Sequence, residues 1–349
     1  MRILQIEDEP WDSGLAHYAL TLSAELQRLG QEVHFWGRAG SPLLDTAARA
    51  GLRVRGLDRP WSGLHRLRAQ VRAAGIELIN AHTGGSHALA AALAAMMRVA
   101  VVRTRGDARP AAKHPLAQLL ARRTDAYIAA NSAIARELAA AFPGCAVATV
   151  FQGIAAGPAL PLPADCVFGL LGRLDPVKGH ETLLQAAALV KKDHPAARWR
   201  AMGGGTPQRR EQLESRARAL GLEGCVEFTG FVADVPAELA RCRVGVVASI
   251  GSEAVSRAAL EWMAAGRPLA AAAVGCLPDL VEEGQTGLLV PPGDPQALAR
   301  ALARFLEQPS LAGRMGGAAR RVFEERFSRE RFGAETMKVY ERTLARLSS

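Results

Sequence analysis

Gly169-Leu-Leu-Gly-Arg-Leu-Asp-Pro-Val-Lys-Gly179 changes character twice within eleven residues. An apolar run, Cys166–Leu171, gives way to a polar turn with Arg173 and Pro176, and Lys178-Gly179 lead into a periodic segment near Glu181–Lys192. A short continuous apolar run, a turn and a 3.6-residue period read as strand, loop and helix. The same unit recurs downstream as Arg198–Met202 then Pro207–Leu220, and Val244–Ala248 then a helix from about Val255 to Ala265. Val226–Phe228 reads as a further strand, and Gln296–Glu307, Leu311–Phe327 and Arg329–Leu347 as helices. Such alternation predicts a parallel sheet with helices on both faces.

The first half repeats the pattern. Strand Arg2–Ile6 is followed by a polar loop, Glu7–Ser13, and a helix from Gly14 to Leu29 that Gly30 ends. Glu32–Trp36 is the next strand; Leu78–Ala81, Ala100–Thr104 and Ala126–Ala130 are strands followed by helices at Ser86–Met97, Pro115–Arg123 and Ala133–Ala141. Between them, Gly153–Asp165 holds three prolines and two glycines and reads as an extended linker. The expected architecture is therefore α/β, with two doubly wound Rossmann-like domains facing across a cleft: residues 1–158, with helix 329–349 packing back on them, and residues 165–328. Ligands of such sheets bind beyond the C-terminal strand ends.

Composition narrows the function. Apolar residues make up 49% of 349 and the net charge is +9, which suits phosphorylated ligands or an anionic membrane face. Aromatics are 5%, too few for the aromatic-plus-basic surface of single-strand binders, and no nucleic-acid partner is expected. Five scattered cysteines favour neither disulfides nor zinc. The chain opens on a strand, and the apolar run Ala88–Met97 is far short of the ~20 residues of a span. A cytoplasmic protein is expected, with peripheral contact to an anionic membrane face as an option.

Two segments carry chemistry. Arg173 and Lys178, five apart at a strand end, can clamp a diphosphate, one through a planar fork and one as a point charge; alone, they read equally as exposed loop cations. Ser249-Ile-Gly-Ser-Glu253 leads into Ala254-Val255-Ser256 and a helix whose free amides suit a pyrophosphate. Glu253 and Glu261 lie eight residues apart, roughly 12 Å along a helix. By themselves they read as two exposed glutamates. There is no strand-end Asp-x-Asp pair to chelate a divalent cation, so no metal and no cofactor is expected.

Gly-Arg-Leu-x3-Lys-Gly, Glu-x7-Glu, Met263-Ala-Ala-Gly-Arg-Pro268, Val274-Gly-Cys-Leu-Pro-Asp279 and Gly287-Leu-Leu-Val-Pro-Pro-Gly-Asp294 together resemble family 4 of the retaining glycosyltransferases, with the GT-B fold. The resemblance spans about Phe168 to Leu302. It implies transfer of a sugar from a nucleotide-sugar; a UDP-linked hexose is favoured as donor, and the basic charge without a membrane span favours a saccharide or glycolipid acceptor such as a lipopolysaccharide core precursor. It gives Arg173 and Lys178 the donor diphosphate, Glu253 a hydroxyl of the transferred sugar, and Glu261 the ribose. Gly172, Gly204 and Phe231 fall in stretches that flank the nucleotide. Ala254-Val255-Ser256 departs from the family's glycine-aromatic-glycine tract, and its side chains restrict the approach of backbone to donor.

In the first half, Gly14 matches the family's glycine before the first helix, with Ser13 in place of its partner, and His82 matches a strand-end histidine that faces the sugar. Arg103, Arg105 and Asp107 resemble a segment of lipopolysaccharide-type members and can receive an anionic acceptor; a solvated loop fits them as well. His17, His87 and His114 read as structural or surface residues, and Asn131 as a helix cap. Two alternatives stand on the same architecture, a catalytically degenerate nucleotide-sugar-binding partner subunit and a nucleotide-sugar 2-epimerase. A dehydrogenase is disfavoured, since the first strand–helix loop lacks Gly-x-Gly-x-x-Gly.

Overall fold

A computed structural model describes the chain apart from residues 11–12, 59, 108, 112–113, 252 and 349. It divides into two compact units, Met1–Gly153 with Ser328–Ser349, and Ile154–Phe327.

Unit 1 contains β1 (Arg2–Glu7), α1 (Gly14–Arg28), β2 (Glu32–Arg38), α2 (Pro42–Arg49), β3 (Arg53–Leu57), α3 (Leu64–Ala73), β4 (Leu78–Ala81), α4 (Gly84–Ala94), β5 (Ala100–Arg105), α5 (Pro115–Ala121), β6 (Ala126–Ala129), α6 (Ser132–Ala141) and β7 (Val147–Thr149). The strands form one parallel sheet in the order β3-β2-β1-β4-β5-β6-β7. Unit 2 contains β8 (Val167–Leu171), α7 (His180–Asp193), β9 (Arg198–Met202), α8 (Pro207–Ala219), β10 (Val226–Gly230), α9 (Val235–Ala240), β11 (Val244–Val247), α10 (Arg257–Ala264), β12 (Leu269–Ala272), α11 (Leu277–Leu280), β13 (Gly287–Val290), α12 (Pro295–Glu307) and α13 (Pro309–Arg326). Its sheet is also parallel, ordered β10-β9-β8-β11-β12-β13. The last helix, α14 (Arg329–Ser348), belongs to unit 1.

Two elements that an apolar run does not reveal are the edge strand β3 and the alanine-rich strand β12. β3 reads Arg-Val-Arg-Gly-Leu and is largely exposed at one sheet edge, so it needs no apolar run. β12 is Leu-Ala-Ala-Ala, weak in β propensity but fully buried between its neighbours.

Residues 154–165, expected as a free linker, are part of unit 2. Each of its three prolines lacks an N–H, and three arginines take carbonyls of the segment, Arg320 through Nη1 to that of Gly157 at 2.8 Å. Arg267, fully buried, donates Nη1 to the Leu160 carbonyl at 2.8 Å and Nη2 to that of Pro161 at 2.7 Å. Arg243 donates to the carbonyls of Pro163 and Ala164 at 3.1 and 2.9 Å. Guanidinium forks suit this work because several donors leave one rigid plane.

Unit 2 is organised around Trp262. Its indole lies over the two glycines at the centre of the sheet, where a Cβ on Gly169 would come within 2.6 Å of the ring and one on Gly245 within 2.4 Å. This seat presses α10 onto β8 and β11. In unit 1, α14 is fixed by a buried polar set: Tyr340 Oη accepts from Gln5 Nε2 at 3.1 Å and Asn80 Nδ2 at 2.7 Å. Thr104 Oγ1 donates to Asn80 Oδ1 at 2.9 Å. Glu25 of α1, buried, pairs with Arg28 at 2.6 Å and Arg329 of α14 at 3.1 Å.

The end of β1 holds an unusual acid. Glu7 is fully buried, and its Oε2 has no hydrogen-bond partner among the described residues. Burial pushes its pKa up to about 8; the Glu9 N–H, donated to Oε1 at 3.0 Å, and Arg103 only partly oppose this. Folded Glu7 therefore keeps its proton between about pH 4.5 and pH 8, where the unfolded chain has lost it, so stability falls as pH rises through that window.

Two outcomes are expected. Gly245→Ala forces a methyl into Trp262 and lowers the stability of unit 2 by about 1–3 kcal/mol in urea denaturation; an unchanged midpoint would contradict the seat. Glu7→Gln keeps the contact with Glu9 but has no charge to bury. It should raise the melting temperature relative to wild type at pH 8 and leave it about equal near pH 4.5, by an amount on the order of a few kcal/mol at the alkaline end. A difference independent of pH would show that Glu7 is ionised in the fold.

Candidate active site

In unit 2 the strand order reverses between β8 and β11, and ligands of such sheets bind at the C-terminal strand ends beside a reversal of this kind. The β8 loop brings Arg173 to the strand end, and Asp175 Oδ1 accepts the Val177 N–H at 3.0 Å to tighten the turn Pro176–Lys178. Gly179 follows with φ +73°, and a Cβ there would stand 1.8 Å from the Ala248 carbonyl oxygen. Only glycine permits that approach. Ile250 N donates to Val177 O at 2.9 Å across the same contact.

The two loops meet through charge. Lys178 Nζ lies 2.5 Å from Glu253 Oε1, and Ser249 Oγ donates to the same oxygen at 2.6 Å. The Glu253 side chain is 1% exposed and that of Lys178 26%, so the carboxylate is enclosed while the ammonium reaches the surface. The backbone of Glu253 is held as well: Cys276 N donates to its carbonyl at 2.7 Å, past Gly275, where a Cβ would fall 2.0 Å from the same oxygen. Arg173 is 73% exposed, 3.7 Å from Asp175.

The helix beyond starts at Arg257 with Ser256 at its N-cap, two residues later than expected. Glu253 and Glu261 therefore do not share one helix, and the 12 Å spacing does not apply. Ala254 and Ser256 are buried and Val255 is partly buried; Ser256 Oγ has no hydrogen-bond partner among the described residues. Glu261 accepts from Arg257 Nε at 2.9 Å and, with Ala233 and Val235, lines a cavity of about 360 Å³. Gly203 and Gly205 let the β9 loop run against the β8 loop, since a Cβ on Gly203 would lie 2.1 Å from Gly172 O. Gly172 has ordinary room, and Gly204 meets nothing nearer than Phe231 Cβ at 4.0 Å. Phe231 itself is 84% exposed. The structure thus brings Lys178, Glu253 and Ser249 into contact, with Arg173 in the same loop as Lys178 and Glu261 in a separate cavity. Sequence reasoning passed over Ser249 and Gly275, whose roles lie in contacts between loops far apart in the chain.

In unit 1, Ser13 caps α1 by accepting the Ala16 N–H at 3.0 Å, and Gly14 is the first helical residue. Trp11 and Asp12 of this loop, and Ser252 of the second motif, lie outside the described residues. His82 is fully buried, with Nε2 2.7 Å from Gln5 Oε1, and its Nδ1 has no partner among the described residues. Burial, helped by Arg103, pushes its pKa down to about 3, so the ring is neutral. Arg103 and Arg105 are buried at the end of β5; Arg105 Nη2 donates to Asp107 Oδ1 at 3.2 Å, and Arg103 lies 4.0 Å from Asp107. Burial lowers the Arg103 pKa to about 10, which leaves it charged at neutral pH. The three residues border a cavity of about 380 Å³ whose other wall, with Leu116, Leu120 and Phe142, is apolar. His87 is buried against Thr124 at 2.7 Å, while His114 and Asn131 cap α5 and α6. Among the described residues, no group of three or more His, Cys, Asp or Glu could hold a metal ion.

Residues 13–155 match the family model described as Glycosyltransferase Family 4, and residues 165–308 the model described as Glycosyl transferases group 1. A D-inositol 3-phosphate glycosyltransferase of Streptomyces scabiei is 36% identical over 195 residues, 53% of this chain and 44% of that protein. The chain thus matches less than half the length of this curated relative. Anabaena HepE, solved in complex with UDP, superimposes with a TM-score of 0.88 at 21% identity over 98% of this chain and all of that one. The lipopolysaccharide outer core galactosyltransferase WaaB gives 0.78 at 14% identity over 98% and 100%. Two family models that between them span most of both units, on this fold, show that the chain belongs to glycosyltransferase family 4 and has the GT-B fold.

Proposed function

We propose that the chain is a retaining, metal-independent glycosyltransferase that moves a hexose from a UDP-linked donor to an anionic glycolipid or cell-envelope saccharide. The observation that carries this is the Lys178–Glu253 contact at the reversal of the unit 2 sheet. A diphosphate would take Lys178 from Glu253, and a hydroxyl of the transferred sugar would replace Lys178 as donor to the carboxylate. Neither charge is then left unpaired, which matters because an unpaired buried carboxylate costs several kcal/mol. Arg173, exposed beside them, adds a second cation.

Positive charge fixed where the departing phosphate gains negative charge lowers the barrier without reorganisation. Attack by the acceptor hydroxyl from the face that the phosphate leaves, through an oxocarbenium-like state, retains configuration and needs no covalent nucleophile. Glu261 would hold the ribose, and Gly172, Gly204 and Phe231 would border the nucleotide. Ala254, Val255 and Ser256 would lie along the donor. Gly14 would present its amide to the phosphates, and the buried Nδ1 of His82, which has no partner among the described residues, would accept from a sugar hydroxyl.

UDP as the nucleotide is supported by HepE, described in complex with UDP, and a cell-envelope acceptor by WaaB. Three arginines, Arg103, Arg105 and Arg109, against one carboxylate leave surplus positive charge at the cavity beside Asp107, and its apolar wall suits an amphiphile. The relatives named for D-inositol 3-phosphate agree with a phosphorylated acceptor. Among the described residues no helix is long and apolar enough to cross a membrane. The net charge of +9 supports peripheral contact with an anionic membrane face.

Lys178→Ala should lower turnover of a UDP-hexose by about 10²–10³-fold with an unchanged circular dichroism spectrum; near-normal turnover would remove the diphosphate clamp. EDTA should leave the transfer rate unchanged, and inhibition reversed by magnesium would mean that a cation carries the leaving group.

A further inference from the structure

A second cavity of unit 1, of about 440 Å³, has no role in the transfer described above. It lies at the C-terminal ends of β1, β2 and β3 and is bordered by Asp8, Arg38, Asp58, Trp61, Gly85 and Ser86. Gly85 and Ser86 belong to the first turn of α4, whose residues Gly84, His87 and Ala88 border the cavity of Arg103 and Arg105. That single turn therefore divides two concavities of different chemistry.

Trp61 is 57% exposed, whereas Trp36, Trp199 and Trp262 are buried. The indole borders the polar cavity and offers it an apolar face. Arg38 and Asp58 are exposed, and neither has an ion-pair partner among the described residues. Asp8 is held in place: Thr83 Oγ1 donates to its Oδ1, and Oδ2 stands where a Cβ on Gly85 would lie within 2.7 Å. The absence of a side chain at Gly85 is what lets this carboxylate face the helix start. Two carboxylates, a guanidinium and an open indole form a set that matches one ligand class well. The axial C–H bonds on one face of a pyranose pack on the indole, and its vicinal hydroxyls take carboxylate and guanidinium in pairs.

We propose that this cavity binds a neutral pyranose unit, stacked on Trp61 and hydrogen-bonded by Asp8, Arg38 and Asp58. An oligosaccharide acceptor would place this unit on one side of the α4 turn and an anionic group on the other. That acceptor role rests on the transferase assignment; the sugar binding itself does not. Asp8 and Asp58 against one Arg38 give the cavity no surplus positive charge, so a phosphate is not its ligand.

The test is titration of the donor-free protein with lactose, cellobiose and maltose, followed by tryptophan fluorescence and saturation-transfer NMR, with inorganic phosphate as the anionic probe. At least one disaccharide should bind and shift the Trp61 emission. Trp61→Ala should weaken that binding by about tenfold, the loss of one stacked ring, while Trp61→Phe keeps most of it. UDP affinity should be unchanged in both variants. Failure of all three sugars to bind, binding unaffected by Trp61→Ala and Asp58→Asn, or preferential binding of phosphate would each overturn the proposal. Loss of UDP binding in wild-type protein would instead count against the donor site alone.

Discussion

The ion pair of Lys178 and Glu253 is the contact on which the arrangement of unit 2 turns. A glutamate with a side chain 1% exposed must be paired or neutral. Here it is paired by a lysine that comes from a different strand loop, 75 residues away in the chain. Everything nearby serves that meeting. Gly179 removes the Cβ that would keep the loops apart, Gly275 does the same behind Glu253, and Trp262 sets the height of α10 by resting on two sheet glycines. Lys178 nevertheless keeps a quarter of its side chain in solvent.

Unit 1 puts the same topological principle to a different use. Its reversal lies between β1 and β4, where Glu7 and His82 are fully buried, His82 against Gln5, and the half-buried Asp8 accepts from Thr83. A protonated carboxyl at Glu7 and a neutral imidazole at His82 put little net charge at the centre of the strand ends. The charged groups instead border the two cavities that flank α4.

Much of this was legible in the sequence. Alternating apolar runs and helical periods are imposed by burial on both faces of a parallel sheet, so β1, β4, β5, β6, β8, β9 and β11 were visible as runs. β3 was not, because an edge strand carrying Arg53 and Arg55 faces water, and β12 was not, because alanines pack in a tight centre without looking like a strand. The proline-rich segment looked like a free linker because the arginines that hold its carbonyls, Arg243, Arg267 and Arg320, lie 79 to 163 residues further on. The charged site residues Arg173, Lys178 and Glu253 could be named from motif and spacing. What spacing could not give was their mutual geometry: that the lysine pairs with the glutamate, that Ser249 shares the bond, and that α10 starts at Arg257 rather than Val255.

The most direct measurement is a crystal structure of the protein with a UDP-hexose. The account requires diphosphate oxygens within hydrogen-bond distance of Lys178 and Arg173, the 2.5 Å contact between Lys178 and Glu253 opened, and a sugar hydroxyl on the glutamate in its place. Donor bound with that contact intact, or seated away from the ends of β8 and β11, would contradict it.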